Sequence, residues 1–189
     1  MSHIDLSNDL PGIVGLMAFR PETAGPLSAL AETLLRADNS LTRGEREAIA
    51  AYVSYLNECR FCDLSHSAFA ARQLEGGYDV VDSIKRDPRE APVSPRLRAL
   101  LEIAARVQRS GRAVAGADIE AARTAGATDV EIHDTVLIAA AFCMYNRYVD
   151  GLATWAPDAR EAYDEMAEAI VARGYEAALD QPDAGLPAP

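Results

Sequence analysis

The sequence predicts an all-α protein, and three observations carry that expectation. The composition is rich in Ala, Leu, Glu and Arg, which favour helix, and holds few β-branched or aromatic runs. Apolar residues return at helical spacing in one segment after another. Two segments open on a threonine followed three places later by glutamate, Thr42-Arg43-Gly44-Glu45 and Thr128-Asp129-Val130-Glu131, the pattern of a capping box.

The elements follow in chain order. The first twenty residues carry Ile13, Val14, Leu16, Met17 and Phe19 without a clear period and end at Pro21. Pro21 opens a helix with Leu27, Leu30, Ala31 and Leu34 on one face, and Asn39-Ser40 punctuates it. The Thr42 box opens the next helix, where Ile49, Tyr52, Val53 and Leu56 share a face. A helix bearing Leu64, Ala68, Ala71 and Leu74 runs to Gly76-Gly77. From Tyr78 to Ser94 a short helical stretch gives way to a connector punctuated by Pro88, Pro92 and Pro95. Leu97, Leu100, Leu101, Ala104 and Val107 mark a further amphipathic helix, Asp118 caps a short one ending near Gly126, and the Thr128 box opens another through Ile132, Val136, Ala139, Ala140 and Cys143. A last helix spans about Asp158 to Arg173.

A chain of 189 residues suits one compact domain, expected over 1–180, with a loose Pro/Gly-rich tail at 181–189. Within it, about 21–77 and about 94–173 read as two halves, and the two capping boxes leave open that they are an internal repeat. Setting Thr42 on Thr128 faces Glu47 with His133, Cys59 with Tyr145, Cys62 with Tyr148 and His66 with Leu152, so only the first copy carries the chemistry described next.

A net charge of −11 argues against nucleic-acid binding, which needs a concentrated positive field. No stretch approaches the ~20 apolar residues of a bilayer span. The start, MSHIDLSNDLPG, lacks the basic and apolar regions of a secretory signal. The expectation is a cytoplasmic protein whose three cysteines, in a reducing compartment, are not structural staples.

The strongest local signal is Cys59-Arg60-Phe61-Cys62 with His66 four residues on. Two thiols so spaced at a helix start reach each other, the N–H groups there favour a thiolate, and Cys59, Cys62 and His66 share one helical face. An imidazole at that place can take or give a thiol proton near neutral pH. By position, Cys62 is the thiol coupled to His66 and Cys59 the one more exposed to a partner sulfur. Three plainer readings stay open: zinc ligation, with Cys143 or His133 as the fourth ligand; inert core cysteines; and an ordinary histidine. Cys143 lies on an apolar face and reads as core. Tyr52, Tyr55, Tyr145 and Tyr148 read as packing residues, and Asn146, Arg147 and Asp150 as a structural hydrogen-bond cluster at a helix end.

Glu47 lies twelve residues before Cys59. On one straight helix that is about 18 Å, so contact requires a chain reversal, for which Asn57-Glu58 is the place. Folding back there would set the carboxylate beside His66; a solvated surface glutamate is the plain alternative.

The pattern Glu47-x₁₁-Cys59-x₂-Cys62-x₃-His66 resembles the alkylhydroperoxidase D-like, peroxidase-related branch of the carboxymuconolactone decarboxylase superfamily. Leu41-Thr42-Arg43-Gly44-Glu45-Arg46-Glu47, Asn57-Glu58-Cys59 and Asn146-Arg147-Tyr148-Val149-Asp150-Gly151-Leu152 fit it too, and the likeness covers roughly residues 10 to 155. The resemblance implies an all-helical bundle, a homo-oligomer such as a trimer or hexamer, and reduction of a hydroperoxide or of a partner's disulfide, with an external dithiol or protein-disulfide partner as electron source. It requires no cofactor or metal, and it makes Glu47 and His66 a proton relay for Cys59 and Cys62. One position departs from the family pattern: Phe61 stands where a histidine precedes the second cysteine, so the relay has one fewer titratable group. The alternatives are a decarboxylase-like lyase, which does not depend on a cysteine pair, and a non-catalytic redox-sensing oligomer.

Overall fold

The computed structural model describes residues 2–176, and among them every regular element is helical. The helices are α1 (Gly12–Phe19), α2 (Pro21–Arg36), α3 (Arg43–Leu56), α4 (Arg60–Ala71), α5 (Gly77–Arg86), α6 (Pro95–Arg109), α7 (Gly116–Thr124), α8 (Asp129–Gly151) and α9 (Arg160–Arg173), with a 3₁₀ turn at Gly111–Ala113. No helix among the described residues is long and apolar enough to cross a membrane. The tail expected at 181–189 lies outside the described residues.

Both capping boxes are built. Thr42 Oγ1 accepts the Glu45 N–H (3.1 Å) while Glu45 Oε2 accepts the Thr42 N–H (2.8 Å). At the head of α8, Thr128 and Glu131 repeat the exchange at 3.2 and 2.7 Å. Each box satisfies N–H groups that a helix start leaves orphaned. Arg96 of α6 then joins the two boxes, giving NH1 to Glu131 Oε1 (2.8 Å) and NH2 to Glu45 Oε1 (3.2 Å).

The two halves part where α3 ends. α3 ends after 14 residues and the chain reverses, whereas α8 continues unbroken for 23. Other boundaries also differ from expectation. The aperiodic N-terminal stretch contains α1, which buries Gly12, Gly15 and Leu16 and leaves Phe19 exposed. α4 stops at Ala71, so Leu74 lies in the turn before Gly76, which takes φ 89° where the chain enters α5. The short helical stretch expected from Tyr78 is α5, as anticipated, and it buries Val80, Val81 and Ile84. Asp118 is the third residue of α7, not its cap, and its carboxylate accepts the Ala115 N–H (2.9 Å).

Two apolar clusters hold the bundle. The larger is built from α2, α3, α5, α6 and α8, through residues such as Leu35, Ile49, Leu100, Ile103 and Phe142. The smaller joins Leu6 and Leu16 to Cys59, Phe61, Cys62 and Phe69 of the α4 region, Val149 of α8, and Tyr163, Ala167 and Ile170 of α9. α4 packs on α3 on one side and on α9 on the other, so the seam between the clusters runs along it.

Candidate active site

The reversal between α3 and α4 falls at Asn57–Cys59 and has a defined geometry. The Cys59 N–H reaches the Ser54 carbonyl (3.1 Å) and the Glu58 N–H reaches the Tyr55 carbonyl (2.9 Å), with Glu58 left-handed at φ 59°. Those two bonds make a Schellman motif with a glutamate where glycine is usual. Cys59 closes α3 and is at once the N-cap of α4, its carbonyl accepting the Asp63 N–H (2.9 Å). A partly buried polar ladder pins the corner. Asn57 Nδ2 donates to Asn146 Oδ1 (2.7 Å), Asn146 Nδ2 to Ser54 Oγ (3.1 Å) and Gln108 Nε2 to Asn57 Oδ1 (3.0 Å). Asn146 therefore does the structural work expected of it.

With the chain folded back, α4 lies along α3 and Glu47 meets His66. The carboxylate is only 1% exposed, and its Oε2 accepts the His66 Nδ1–H at 2.7 Å. The surface reading of Glu47 is thereby excluded. Fixing Nδ1 as the donor leaves Nε2 as the acceptor nitrogen of a neutral imidazole. Phe69 and Phe142 present edge-on geometry to the ring, at 5.1 and 4.5 Å between centroids.

Cys59 and Cys62 are free thiols buried to 0% and 3% exposure. The expectation that Cys59 is the more exposed sulfur is corrected: serving both helices at the corner turns its side chain into the smaller cluster. Its thiol is pushed far above the ordinary range, first by hydrogen bonding to Cys62 and then by burial, against the effect expected of a helix start. Asp150 of α8 also bonds the Cys59 thiol; desolvation pushes its carboxyl up, and Cys59 opposes that.

Cys62 and His66 open instead onto a cavity of about 380 Å³. Ile13 and Met17 of α1, Leu27 of α2, Phe69 of α4 and Met166 of α9 make its walls overwhelmingly apolar, and Cys59 is not among its lining residues. Phe61 also lines it and packs against Gly12, where an added Cβ would meet the ring at 2.2 Å. The departure from the family histidine thus fills space beside α1 with an apolar ring.

The remaining candidates lie apart. Cys143 Sγ sits 3.7 Å from Asn57 Nδ2, half-buried on the larger cluster, and His133 pairs with Asp134 on the surface (2.8 Å). Among the described residues, no group of three or more His, Cys, Asp or Glu is placed to hold a metal ion.

Solved structures share this architecture. The alkylhydroperoxidase AhpD core from Ralstonia eutropha JMP134, a peroxidase-related protein itself uncharacterized, is 30% identical at a TM-score of 0.73, over 83% of this chain and 80% of its own. The chain belongs to the alkylhydroperoxidase D-like, peroxidase-related family. A second peroxidase-related protein, from Silicibacter sp. TM1040, is 29% identical at a TM-score of 0.71, over 78% of this chain and 77% of its own. No family model and no curated protein matches the chain.

Two further residues stand at this candidate site without a sequence signal that marks them. Asp150 was assigned to a structural cluster. Tyr175, just past α9, gives its phenol O–H to Glu47 Oε1 (2.6 Å) and stands 3.5 Å from His66 Nδ1. A lone tyrosine after the last periodic residue carries no sequence signal. Only the tertiary fold brings it to Glu47.

Proposed function

We propose that the chain is a thiol-dependent peroxidase acting on organic hydroperoxides, with Cys62 as the attacking sulfur, Cys59 as the resolving one, and Glu47 and His66 as their proton relay. The observation that carries this reading is that Cys62 and His66 share the wall of an apolar cavity while His66 Nδ1 is held by a buried carboxylate. An apolar chamber of this size favours a hydroperoxide with a hydrocarbon body over hydrogen peroxide, because burying that body supplies binding energy.

In the first step His66 Nε2 takes the Cys62 proton. The thiolate attacks the terminal peroxide oxygen, the S–O bond forms, the O–O bond breaks, and the alkoxide takes a proton and leaves as the alcohol. Cys62 is now a sulfenic acid. Cys59 attacks it, giving up its proton as the S–S bond forms and the sulfenic oxygen departs as water. An external dithiol, free or on a protein partner, supplies two electrons and two protons to restore both thiols. The retention of a proton on Cys59 suits a sulfur that attacks second. Reduction of a partner's disulfide by the same pair is the second reading, and the cavity favours the peroxide. A reducing compartment such as the cytoplasm, and a homo-oligomer, complete the proposal.

The test is turnover of cumene hydroperoxide with dithiothreitol as donor. Wild type should turn over continuously. Cys59→Ser should release one equivalent of alcohol per chain and slow sharply, and Cys62→Ser should release none. Sustained turnover in Cys62→Ser would overturn the assignment.

A further inference from the structure

The phenol of the half-buried Tyr175 is a polar group that the reaction sequence above does not use. Its placement is built rather than incidental. Gly174 holds φ 91°, and a Cβ there would meet Glu32 Oε2 at 2.5 Å. That same oxygen accepts the Tyr175 N–H at 2.7 Å. Arg36 holds the other Glu32 oxygen (3.0 Å) and caps the end of α9 through the Ile170 and Val171 carbonyls (3.0 and 3.1 Å). The Glu32–Arg36 pair of α2 thus fixes the turn that delivers the phenol to Glu47. The ring lies nearly parallel to the imidazole, at 18° and 6.2 Å between centroids.

Within the thiol relay proposed above, and dependent on it, we propose that Tyr175 is a positioning residue. By occupying Glu47 Oε1 it turns the carboxylate so that Oε2 alone serves His66. The two donors leave a buried carboxylate with neither oxygen bare. Tyr175 itself stays protonated and does not enter the proton transfer. Its phenol lies well above the ordinary range, through burial first and then the charge of Glu47.

The groups facing the relay do not supply this role in its place. From α2, Arg36 and Glu32 act on the phenol in opposite senses, and Arg46 of α3 lies near Glu47. On α8, Tyr145 gives its hydroxyl to the Leu27 carbonyl (2.9 Å). Cys62 is the remaining titratable group of the cavity wall on α4, and α9 contributes the apolar Met166 and Ile170 there.

The sign of the effect follows from the hydrogen bond. Removing a donor to a buried carboxylate makes the Glu47–His66 pair bind its proton more tightly. The acid limb of Cys62 reactivity then moves to higher pH, by about one unit for a hydrogen bond to a charged group. The measurement is iodoacetamide alkylation of the full-length protein against pH. Tryptic cleavage after Arg60 puts Cys59 and Cys62 on different peptides, so each thiol is read separately. Tyr175→Phe keeps the ring; it should shift the Cys62 limb upward and lower kcat for cumene hydroperoxide with KM little changed. Since the phenol acts through Glu47, adding Tyr175→Phe to Glu47→Gln should move the profile no further. A Tyr175→Phe profile that overlies wild type while His66→Asn alters it would overturn the role of Tyr175 alone. Silence in both variants would remove the relay, and this role with it.

Discussion

Glu58 occupies the left-handed position of the α3 corner at φ 59°, where an L-residue with a Cβ is strained by about 1–2 kcal/mol. It is exposed, and among the described residues its carboxylate has no ion-pair partner. Glycine there would relieve the strain and lose a little through its freer unfolded chain. Glu58→Gly should therefore raise stability by about 0.5–1 kcal/mol in urea unfolding, with Glu58→Ala unchanged. Loss of stability in the glycine variant would show that the side chain supports the corner. The corner also shows what single residues disclose. Asn57-Glu58 was legible as a reversal because Glu47 and the Cys59–His66 face had no other way to meet. The burial of Cys59 was not, since helix spacing assigns a face and says nothing of which neighbours cover it. Tyr175 was beyond reach for a related reason: it touches His66 across 109 residues of chain, and no local pattern encodes that approach.

At the scale of elements, the capping boxes were the most dependable sequence signal, because Thr and Glu three residues apart satisfy N–H groups by local geometry alone. What they do to each other was hidden. Arg96, read as nothing in α6, bridges Glu45 and Glu131 and so ties the heads of α3 and α8 together. Glu131 is fully buried; desolvation raises its carboxyl, yet the hydrogen bonds from Thr128 and Ser40 and the charge of Arg96 outweigh it and leave the carboxyl below its ordinary value. A depressed folded pKa means that the ionised form stabilises the fold above the unfolded value, about 4.3 for glutamate, and that this contribution is lost as pH falls through the folded value. Arg96→Met should cost about 2 kcal/mol at neutral pH in urea unfolding, the loss of charge-assisted hydrogen bonds to a buried carboxylate. It should also move acid unfolding to higher pH, since Glu131 then protonates more readily. A variant as stable as wild type across that range would mean the bridge is incidental. α1 was hidden for the opposite reason: its eight residues, GIVGLMAF, are apolar on every side, so they carry no period to detect.

For the whole molecule, the outer face of α8 bears on assembly. Val130, Leu137 and Met144 are 62%, 39% and 44% exposed and follow one another at seven-residue intervals. A seven-residue repeat drifts only about 20° per step, so the three make one apolar row on a helix that also packs inward. His133, Ala140 and Arg147, likewise exposed, fall at the intermediate positions of the same face. Exposed apolar residues aligned in this way have the pattern of a helix seam. A second copy of this chain is the expected occupant, because a symmetric contact would let the row meet itself. Light scattering at micromolar concentration should then give a multiple of the 20.3 kDa chain mass. Leu137→Glu with Met144→Glu should reduce that mass, since two buried like charges on each side of the seam oppose its closure, and should leave the helical spectrum intact because neither side chain is in the core. Cavity and relay lie inside a single chain, so the dissociated variant should keep a Cys62 alkylation profile like that of wild type. A wild-type protein that scatters as a monomer, or a double variant of undiminished mass, would place the subunit contact elsewhere or nowhere on this helix.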